Sequence, residues 1–149
     1  MKVKTSRFGE LDVNEEEILV FSEGLIGFAE KKRFVLREHR PDSPFKWLQS
    51  LDDGDLAFIV IKTGDFMTDY QPTFPRSDLE ALGLDSVDEA ELYVTVVVPE
   101  DPGKMSANLL GPIVINTDSR KARQLIASGD KYTTCHYILD ELKRVCGVS

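Results

Sequence analysis

The sequence predicts an all-β fold, a sandwich or a barrel in a single domain, with one short helix and a candidate C-terminal helix. Short apolar runs rich in Val, Ile, Phe and Tyr alternate along the chain with Gly, Pro, Asp and Asn, a spacing typical of strands joined by turns. The chain has 149 residues, of which 42% are hydrophobic and 30% charged. A domain of this size buries about 69% of the surface that its unfolded chain exposes, so it needs neither disulfides nor metals to build a core.

The predicted strands follow one another at short intervals and begin with a hairpin that pairs residues 3–5 with residues 7–13. Turn residues separate the later strands, most clearly at residues 52–55 (Asp-Asp-Gly-Asp) and 99–103 (Pro-Glu-Asp-Pro-Gly). Glycine adopts turn conformations readily, and proline cannot donate to a strand ladder. The remaining predicted strands are residues 18–21, 33–37, 45–51, 56–62, 92–98 and 113–115.

A short helix is predicted after Pro75. Ser77 is placed to cap its first turn, and Glu80, three residues on, completes a capping box. Gly83 ends the helix about two turns later, because glycine adopts the left-handed conformation that closes helices.

A second helix is predicted near the end of the sequence, where apolar side chains recur at spacings of three and four residues. The segment 120–128 is ambiguous, because its apolar residues fit one face of a helix and also permit a strand. The stripe of the second helix consists of Cys135, Ile138, Leu142 and Val145.

The charge of the chain is distributed unevenly. The net charge is −8, and residues 51–100 alone contain twelve Asp and Glu against two Lys and Arg. Such a chain has no net positive charge with which to release counterions from nucleic-acid phosphates, so direct nucleic-acid binding is not expected. The acidic middle third either keeps the turns solvated or forms a face that attracts a basic partner.

The residues that nucleophilic catalysis or metal binding requires do not occur at suitable spacings. Cys135 and His136 are adjacent, so their side chains diverge on a strand or a helix and do not easily pair. Two cysteines and two histidines give no zinc-binding spacing. Residues 52–55 resemble the start of a calcium loop, but Thr63 stands where such a loop has glutamate. We therefore expect no enzyme activity, no cofactor and no metal.

The sequence also predicts where the protein is found. The N-terminal residues lack the apolar stretch of a signal peptide, and the longest apolar runs, such as residues 56–61, are too short to span a bilayer. We expect a cytoplasmic protein that does not bind membranes. Since the cytosol is reducing, Cys135 and Cys146 are expected to be free thiols.

Two pairs of residues near turns are candidates for contact with a partner. Phe45 and Trp47 alternate along a predicted strand, either onto its core face or as an interface anchor, a frequent role of tryptophan. Asn108 and Asn116 flank the predicted strand at residues 113–115, and turn formation is the alternative role for both.

Four longer motifs occur in order along the chain. The first, F-S-E-G-L-I-G-F at residues 21–28, fits the pattern F-x-x-G-L-x-G-F. The second is P-F-K-W-L-Q-S-L-D-D at residues 44–53, followed by L-A-F at 56–58. The third, N-L-L-G-P-I-V-I-N at residues 108–116, fits N-L-x-A/G-P-I-V-I-N. The fourth is R-K-A-R-Q at residues 120–124, followed by Tyr132. Together they span roughly residues 5–132 and resemble the flagellar assembly factor FliW family.

The resemblance implies a β-barrel-like domain over residues 1–132, in which residues 120–128 form a strand. The tail over residues 133–149 lies beyond it and is predicted to be helical by its own pattern. The resemblance implies a non-enzymatic role, the binding and allosteric antagonism of CsrA, a small dimeric RNA-binding protein that represses translation. It also implies binding of flagellin, which displaces the protein from CsrA.

A basic partner such as CsrA would be attracted by the acidic middle third. We therefore expect a partner-binding surface that combines an apolar anchor with acidic residues. The alternative is a flagellin chaperone without a regulatory target, which would use an apolar groove formed by Ile138, Leu142 and Val145. The residues expected at the partner-binding surface are Phe45, Trp47, Asp52, Asp53, Asp55, Asp65, Asp69 and Asn108.

Overall fold

Most of the regular structure of the chain is β-strand, and the all-β prediction is confirmed. The computed structural model describes residues 1–38, 40–67 and 69–146. The helices are α1 (Arg76–Ala81) and α2 (Ile138–Cys146). The strands are β1 (Lys2–Thr5), β2 (Gly9–Asp12), β3 (Leu19–Phe21), β4 (Arg33–Glu38), β5 (Phe45–Ser50), β6 (Ala57–Lys62), β7 (Glu91–Val97), β8 (Ser106–Ala107), β9 (Ile113–Asn116), β10 (Lys121–Gln124) and β11 (His136–Tyr137).

Each strand predicted from the residue pattern is present and differs from its expected bounds by no more than two residues at either end. The initial hairpin forms from β1 and β2, which pair antiparallel. The two-residue strands β8 and β11 were not predicted, because a strand of two residues has no detectable period.

Seven strands close into a barrel within the described part of the chain. Strands β3 to β7 follow one another as an antiparallel meander. β7 pairs with β9, β9 pairs with β10, and β10 returns to β3 in a parallel pairing. Closure leaves these strands no free edge, which is how small all-β domains avoid edge-to-edge aggregation.

The barrel interior is filled by side chains that alternate along each strand. Phe21 and Phe34 meet edge to face with ring centroids 5.1 Å apart. Because successive side chains of a strand point to opposite sheet faces, only every second residue enters this core. The buried members of the interior cluster are Leu19, Phe21, Leu25, Phe34, Leu48, Val60, Tyr93, Ile113, Ile115 and Ala122.

A second core lies outside the barrel, against the outer face of β6 and β7. Ile61 and Val94 project outward from these strands and are covered by the segment after β6, by β8 and by α2. Tyr70 and Tyr132 meet edge to face at 4.7 Å, and the Tyr70 hydroxyl donates to the Leu109 carbonyl at 2.5 Å. The long connections around the barrel therefore carry a core of their own.

Helix α1 forms where the sequence predicts a helix, but the predicted capping box is wrong. Pro75 is the N-cap and accepts the first backbone hydrogen bond, so Ser77 lies inside the helix, where its hydroxyl does not cap the first turn. The helix ends as expected at Gly83, whose φ is +73°. Among the described residues, the capping box that follows this helix begins instead at Ser86, with Glu89 as its third residue.

The predicted C-terminal helix is also present, but it begins later than its apolar stripe suggests. Cys135 is an exposed free thiol in the turn before β11, outside the helix. Ile138 is buried and Leu142 is partly buried against the outer core. The expectations for the side chains of Val145 and Cys146 lie outside the described residues.

The ambiguous segment 120–128 contains strand β10, so the strand that the resemblance implied is present over residues 121–124. Beyond β10, Leu125 and Ala127 donate backbone hydrogen bonds to the carbonyls of Pro112 and Leu110. Ala122 belongs to the interior cluster, Leu125 is buried in a separate cluster with Leu82, and Ile126 is exposed.

Candidate protein-binding surface

Strand β5 carries the two aromatic residues that the sequence identifies as candidates. Leu48 enters the barrel interior, so Phe45 and Trp47 point outward, opposite Ile61 and Ile59 of β6. Both aromatic side chains are half-buried. They share one strand face as expected. This face points away from the barrel interior, and Phe45 packs there against the outer core.

Phe45 and Trp47 line a cleft of about 720 Å³ on the outside of the barrel, here called the Trp47 cleft. One wall comes from the connection between β4 and β5, and the other from the connection between β7 and β8. Its apolar lining is formed by Phe45, Trp47, Ile59, Val98, Pro102 and Met105.

Cationic side chains surround the Trp47 cleft. Arg40 and Lys46 line it, together with one acidic residue, Asp42. The guanidinium of Arg7, on the loop between β1 and β2, lies 3.7 Å from the centroid of the Trp47 ring, within the range of a cation–π contact.

The side chain of Asp52, the chain neighbour of Asp53, anchors the start of β4. Its carboxylate accepts hydrogen bonds from the backbone N–H groups of Lys32 and Arg33 and from the Arg33 guanidinium at 2.9 Å. Partial burial opposes ionisation, but these donors outweigh it, so the pKa of Asp52 lies below its ordinary value.

Asp53 and Asp55 stabilise the turn between β5 and β6. The Asp53 carboxylate accepts from the backbone N–H of Asp55 at 3.0 Å, and the Asp55 carboxylate accepts from the Ser6 hydroxyl. The buried amide of Gln49 donates to the carbonyl of Gly54 at 3.2 Å. The turn is thereby attached to the loop of the first hairpin.

Asp65 and Asp69 lie at the opposite end of β6 from Asp53 and Asp55. The six residues of β6 span about 20 Å. Asp69 forms a bidentate ion pair with Arg144 of α2, with N–O distances of 2.6 and 3.1 Å. This hydrogen-bonded guanidinium holds the pKa of the Asp69 carboxyl below its ordinary value. The five predicted aspartates therefore do not form one acidic face.

A second recess of about 460 Å³ opens at one end of the barrel, here called the mouth groove. The β6–β7 ladder stops at Val60–Thr95, and the last residues of β7 pair with β8 instead. The strands separate beyond that point and leave an apolar gap. The groove is lined principally by Leu25, Ile26, Phe58, Val97, Leu110 and Ile126.

The apolar side chains of the mouth groove are unusually accessible. Ile26 is 60% exposed, Val97 65% and Ile126 50%. Gln124 holds two walls together, since its side chain accepts from the Ile26 backbone N–H at 3.0 Å and donates to the Gly111 carbonyl at 2.9 Å. Contiguous exposed apolar surface of this kind marks protein-interaction sites.

Asn108 lines the mouth groove, but its side chain is occupied in a turn. Its carbonyl oxygen accepts from the Gly111 backbone N–H at 2.9 Å. Asn116 has a comparable role, since its side-chain oxygen accepts from the Asp118 backbone N–H at 3.1 Å. Turn formation therefore accounts for both side chains.

The sequence analysis did not identify the exposed apolar residues of the mouth groove. Ile26 stands between two turn glycines, where an apolar residue has no strand face to occupy. Val97 belongs to a run of three valines at residues 96–98, in which strand alternation requires at least one side chain to face solvent. These two features of the sequence could have indicated the exposed apolar residues.

The adjacent Cys135 and His136 do not form a catalytic pair. His136 accepts from the Thr133 backbone N–H at 2.9 Å through Nε2, and its Nδ1 lies 3.3 Å from a Glu141 carboxylate oxygen. No three His, Cys, Asp or Glu side chains within the described residues could hold a metal ion. Over the same ranges, no helix is long and apolar enough to cross a membrane.

A closed barrel with an exposed apolar groove and a separate aromatic cleft defines a small β-barrel protein with two surface recesses. The family model described as FliW protein matches residues 2–138. The chain belongs to the FliW family. Its match includes β11, beyond the residue 132 at which the sequence motifs end.

Individual relatives match over nearly their full length. A flagellar assembly factor FliW of Ruminiclostridium cellulolyticum is 41% identical over 97% of this chain and 98% of its own. One from Leptospira interrogans serovar Lai is 40% identical over 94% of each chain. A crystal structure of the flagellar assembly factor FliW superposes with a TM-score of 0.84 at 32% identity, covering 93% of this chain and 96% of that one.

Proposed function

We propose that this member of the FliW family binds two proteins in turn. It binds CsrA, a basic dimeric repressor of translation, and antagonises it allosterically, which relieves the repression of flagellin synthesis. It binds flagellin as the competing partner, so that free flagellin withdraws it from CsrA. This role is carried out in the cytoplasm without catalysis and without direct contact to nucleic acid.

The exposed mouth groove is the observation that carries this proposal. A folded chain gains stability by burying large aliphatic side chains, so exposing Ile26, Val97 and Ile126 together is unfavourable unless a partner covers them. The hydrogen bonds of the Gln124 side chain to the backbone of Ile26 and Gly111 fix two walls of the groove relative to each other. It is therefore preorganised to receive an apolar segment.

The acidic turn between β5 and β6 supports the choice of a basic partner for this end of the barrel. The turn directly precedes β6, whose residue Phe58 lines the mouth groove. Asp53 and Asp55 thus stand at the same end of the barrel as the groove. An apolar groove beside carboxylates fits a basic protein, whose association the charges would accelerate.

Titration calorimetry against CsrA from the same organism tests the proposal. We expect binding that weakens as salt is raised, because the charges are screened. Bound protein should lower the affinity of CsrA for its target RNA by roughly 5–150-fold, the range of allosteric couplings of 1–3 kcal/mol. Excess RNA should not restore the original affinity, as it would under simple competition.

A charge-reversed variant locates the surface. Asp53→Lys combined with Asp55→Lys should slow association and flatten its salt dependence. The matched control is Asp118→Lys with Asp130→Lys, which changes the net charge equally at exposed positions outside the β5–β6 turn. Equal association rates for the two double variants would refute the assignment of this turn.

The alternative role is that of a flagellin chaperone without a regulatory target. Of the residues predicted to form its groove, Ile138 and Leu142 pack against the outer core of the chain itself. Binding of flagellin, with no binding of CsrA at low or high salt, would nevertheless favour the chaperone role over the proposed one.

A further inference from the structure

The Trp47 cleft is a second recess whose charge is opposite to that of the chain as a whole. Within the described ranges it shares a single lining residue, Ile59, with the mouth groove. The chain carries a net charge of −8, yet the charged residues lining the cleft are Arg40, Lys46 and Asp42, with Arg7 stacked on Trp47.

These cations form no ion pair with a carboxylate in the described part of the chain. There, five of the eight arginines form an ion pair with Asp or Glu. Arg7 and Arg40 form none with any described residue, and the same holds for Lys46. A cationic group without such a partner at the border of an apolar cleft is available to an external carboxylate.

The interior of the cleft is apolar and large enough for side chains of a partner. Its volume of about 720 Å³ lies within the range of roughly 300–1,000 Å³ typical of ligand sites. Val98, which lines it, is 47% exposed. The aromatic rings of Phe45 and Trp47 supply rigid contact surface of the kind that anchors interfaces.

We infer that the Trp47 cleft binds an acidic segment of a protein partner, whose apolar side chains enter the cleft while its carboxylates pair with Arg7, Arg40 and Lys46. This inference assigns a second surface of opposite charge preference to that of the mouth groove. A single-stranded nucleic acid is disfavoured, because stacking sites for it line continuous basic grooves, whereas this cleft is walled by Ile59, Pro102 and Met105.

The sole tryptophan of the chain makes the test direct, because its fluorescence reports the cleft. The probe is a synthetic peptide in which Leu-Phe-Leu is flanked on both sides by glutamates. We expect a saturable change in Trp47 emission on titration. Peptides with lysines in place of the glutamates, or serines in place of Leu-Phe-Leu, should give no saturable change.

Variants of the cleft establish that the signal arises there. Arg40→Glu combined with Lys46→Glu should weaken peptide binding at least tenfold. The control Lys121→Glu with Lys143→Glu changes the net charge equally at exposed positions that do not line the cleft. A milder variant, Arg40→Gln, changes an exposed loop position and should weaken peptide binding about threefold. It replaces the double variant in the test if the double variant does not fold.

Three results would overturn the inference. One is no saturable change with the acidic peptide up to millimolar concentration. Another is unchanged binding by a folded cleft variant. The third is tighter binding of oligouridylate than of the acidic peptide, which would assign the cleft to nucleic acid. The probe is neither CsrA nor flagellin, so the outcome is independent of the proposed function.

Discussion

The carboxylate of Asp52 ties the start of β4 to the end of β5. It accepts two backbone hydrogen bonds, from Lys32 and Arg33, and pairs with the Arg33 guanidinium. Each of these contacts favours the ionised form, which is why the pKa of this carboxyl falls although partial burial acts in the other direction.

Replacing Asp52 with asparagine should lower the free energy of unfolding by about 1 kcal/mol at pH 7, since hydrogen bonds to a charged group are lost at a site that solvent still reaches. A carboxyl with a lowered folded-state pKa stabilises the fold above its unfolded pKa of about 3.9 and loses that effect as the pH falls through the folded value. Urea unfolding of both proteins from pH 7 to pH 2.5 measures the difference.

The difference between wild type and Asp52→Asn should therefore be full at pH 7 and shrink below about pH 4. Asp118→Asn is the control, because Asp118 is exposed and its carboxylate makes no contact with a described residue. A difference that stays constant across the pH range would show that the charge of Asp52 does not contribute.

Trp47 illustrates what strand alternation does and does not reveal about single residues. The period of two places Phe45 and Trp47 on one face of β5 and Leu48 on the other. It does not say which face lies inside the barrel, because the outer face of β5 is also partly covered. That covering comes from residues distant in the sequence, such as Met105, and leaves no trace in the local pattern.

At the scale of elements, the loop between β3 and β4 depends on two left-handed glycines. Gly24 has a φ of +66° and Gly27 a φ of +87°. A Cβ atom on Gly24 would lie 2.5 Å from the Phe28 carbonyl oxygen, whereas one on Gly27 would meet nothing within 4 Å. The two positions share the backbone conformation and differ in available space.

Gly24→Ala should consequently destabilise the fold by more than 2 kcal/mol, and Gly27→Ala by about 1 kcal/mol, the conformational penalty alone. Chemical denaturation of the two variants measures both values. Since Gly24 sets the position of Ile26, Gly24→Ala should also weaken any partner bound in the mouth groove. Equal destabilisation by the two substitutions would refute the role of the close approach.

The element boundaries were largely predictable, and the exceptions have local causes. The helix α1 begins earlier than its supposed capping box because Pro75 takes the N-cap position, which proline's fixed φ allows. Cys135 fits the apolar spacing of α2, but His136 and Tyr137 pair with β8, so the chain is extended there. Pairing with a distant strand outweighs local helical periodicity.

At the scale of the whole molecule, closure of the barrel depends on pairings between distant segments. β7 contacts β9, and β10 runs parallel to β3. Periodicity identifies each strand but not its neighbours, because both faces and both edges of a strand look alike in sequence. The family resemblance, rather than the residue pattern, supplied the expectation of a barrel. The mouth groove depends on where the β6–β7 pairing stops and the β7–β8 pairing begins, which the residue pattern does not predict.

Phe34→Ala should lower the free energy of unfolding by about 3–5 kcal/mol, because it leaves a cavity beside Phe21 in a core that the neighbouring strands cannot collapse to fill. Ile126→Ala, at a half-exposed position, should change it far less. Since the barrel is closed, unfolding should be two-state, with far-ultraviolet circular dichroism and Trp47 fluorescence giving one transition. Separate transitions would show that the outer core unfolds independently.

The parallel pairing of β3 with β10 has a consequence for synthesis on the ribosome. Val20 of β3 finds its partner only at Lys121, about a hundred residues later. At roughly 5–20 residues per second, β3 waits on the order of 5–20 s with one edge unpaired. Its three residues offer a nascent neighbour little to pair with, so the brevity of this strand protects the chain while it is being made.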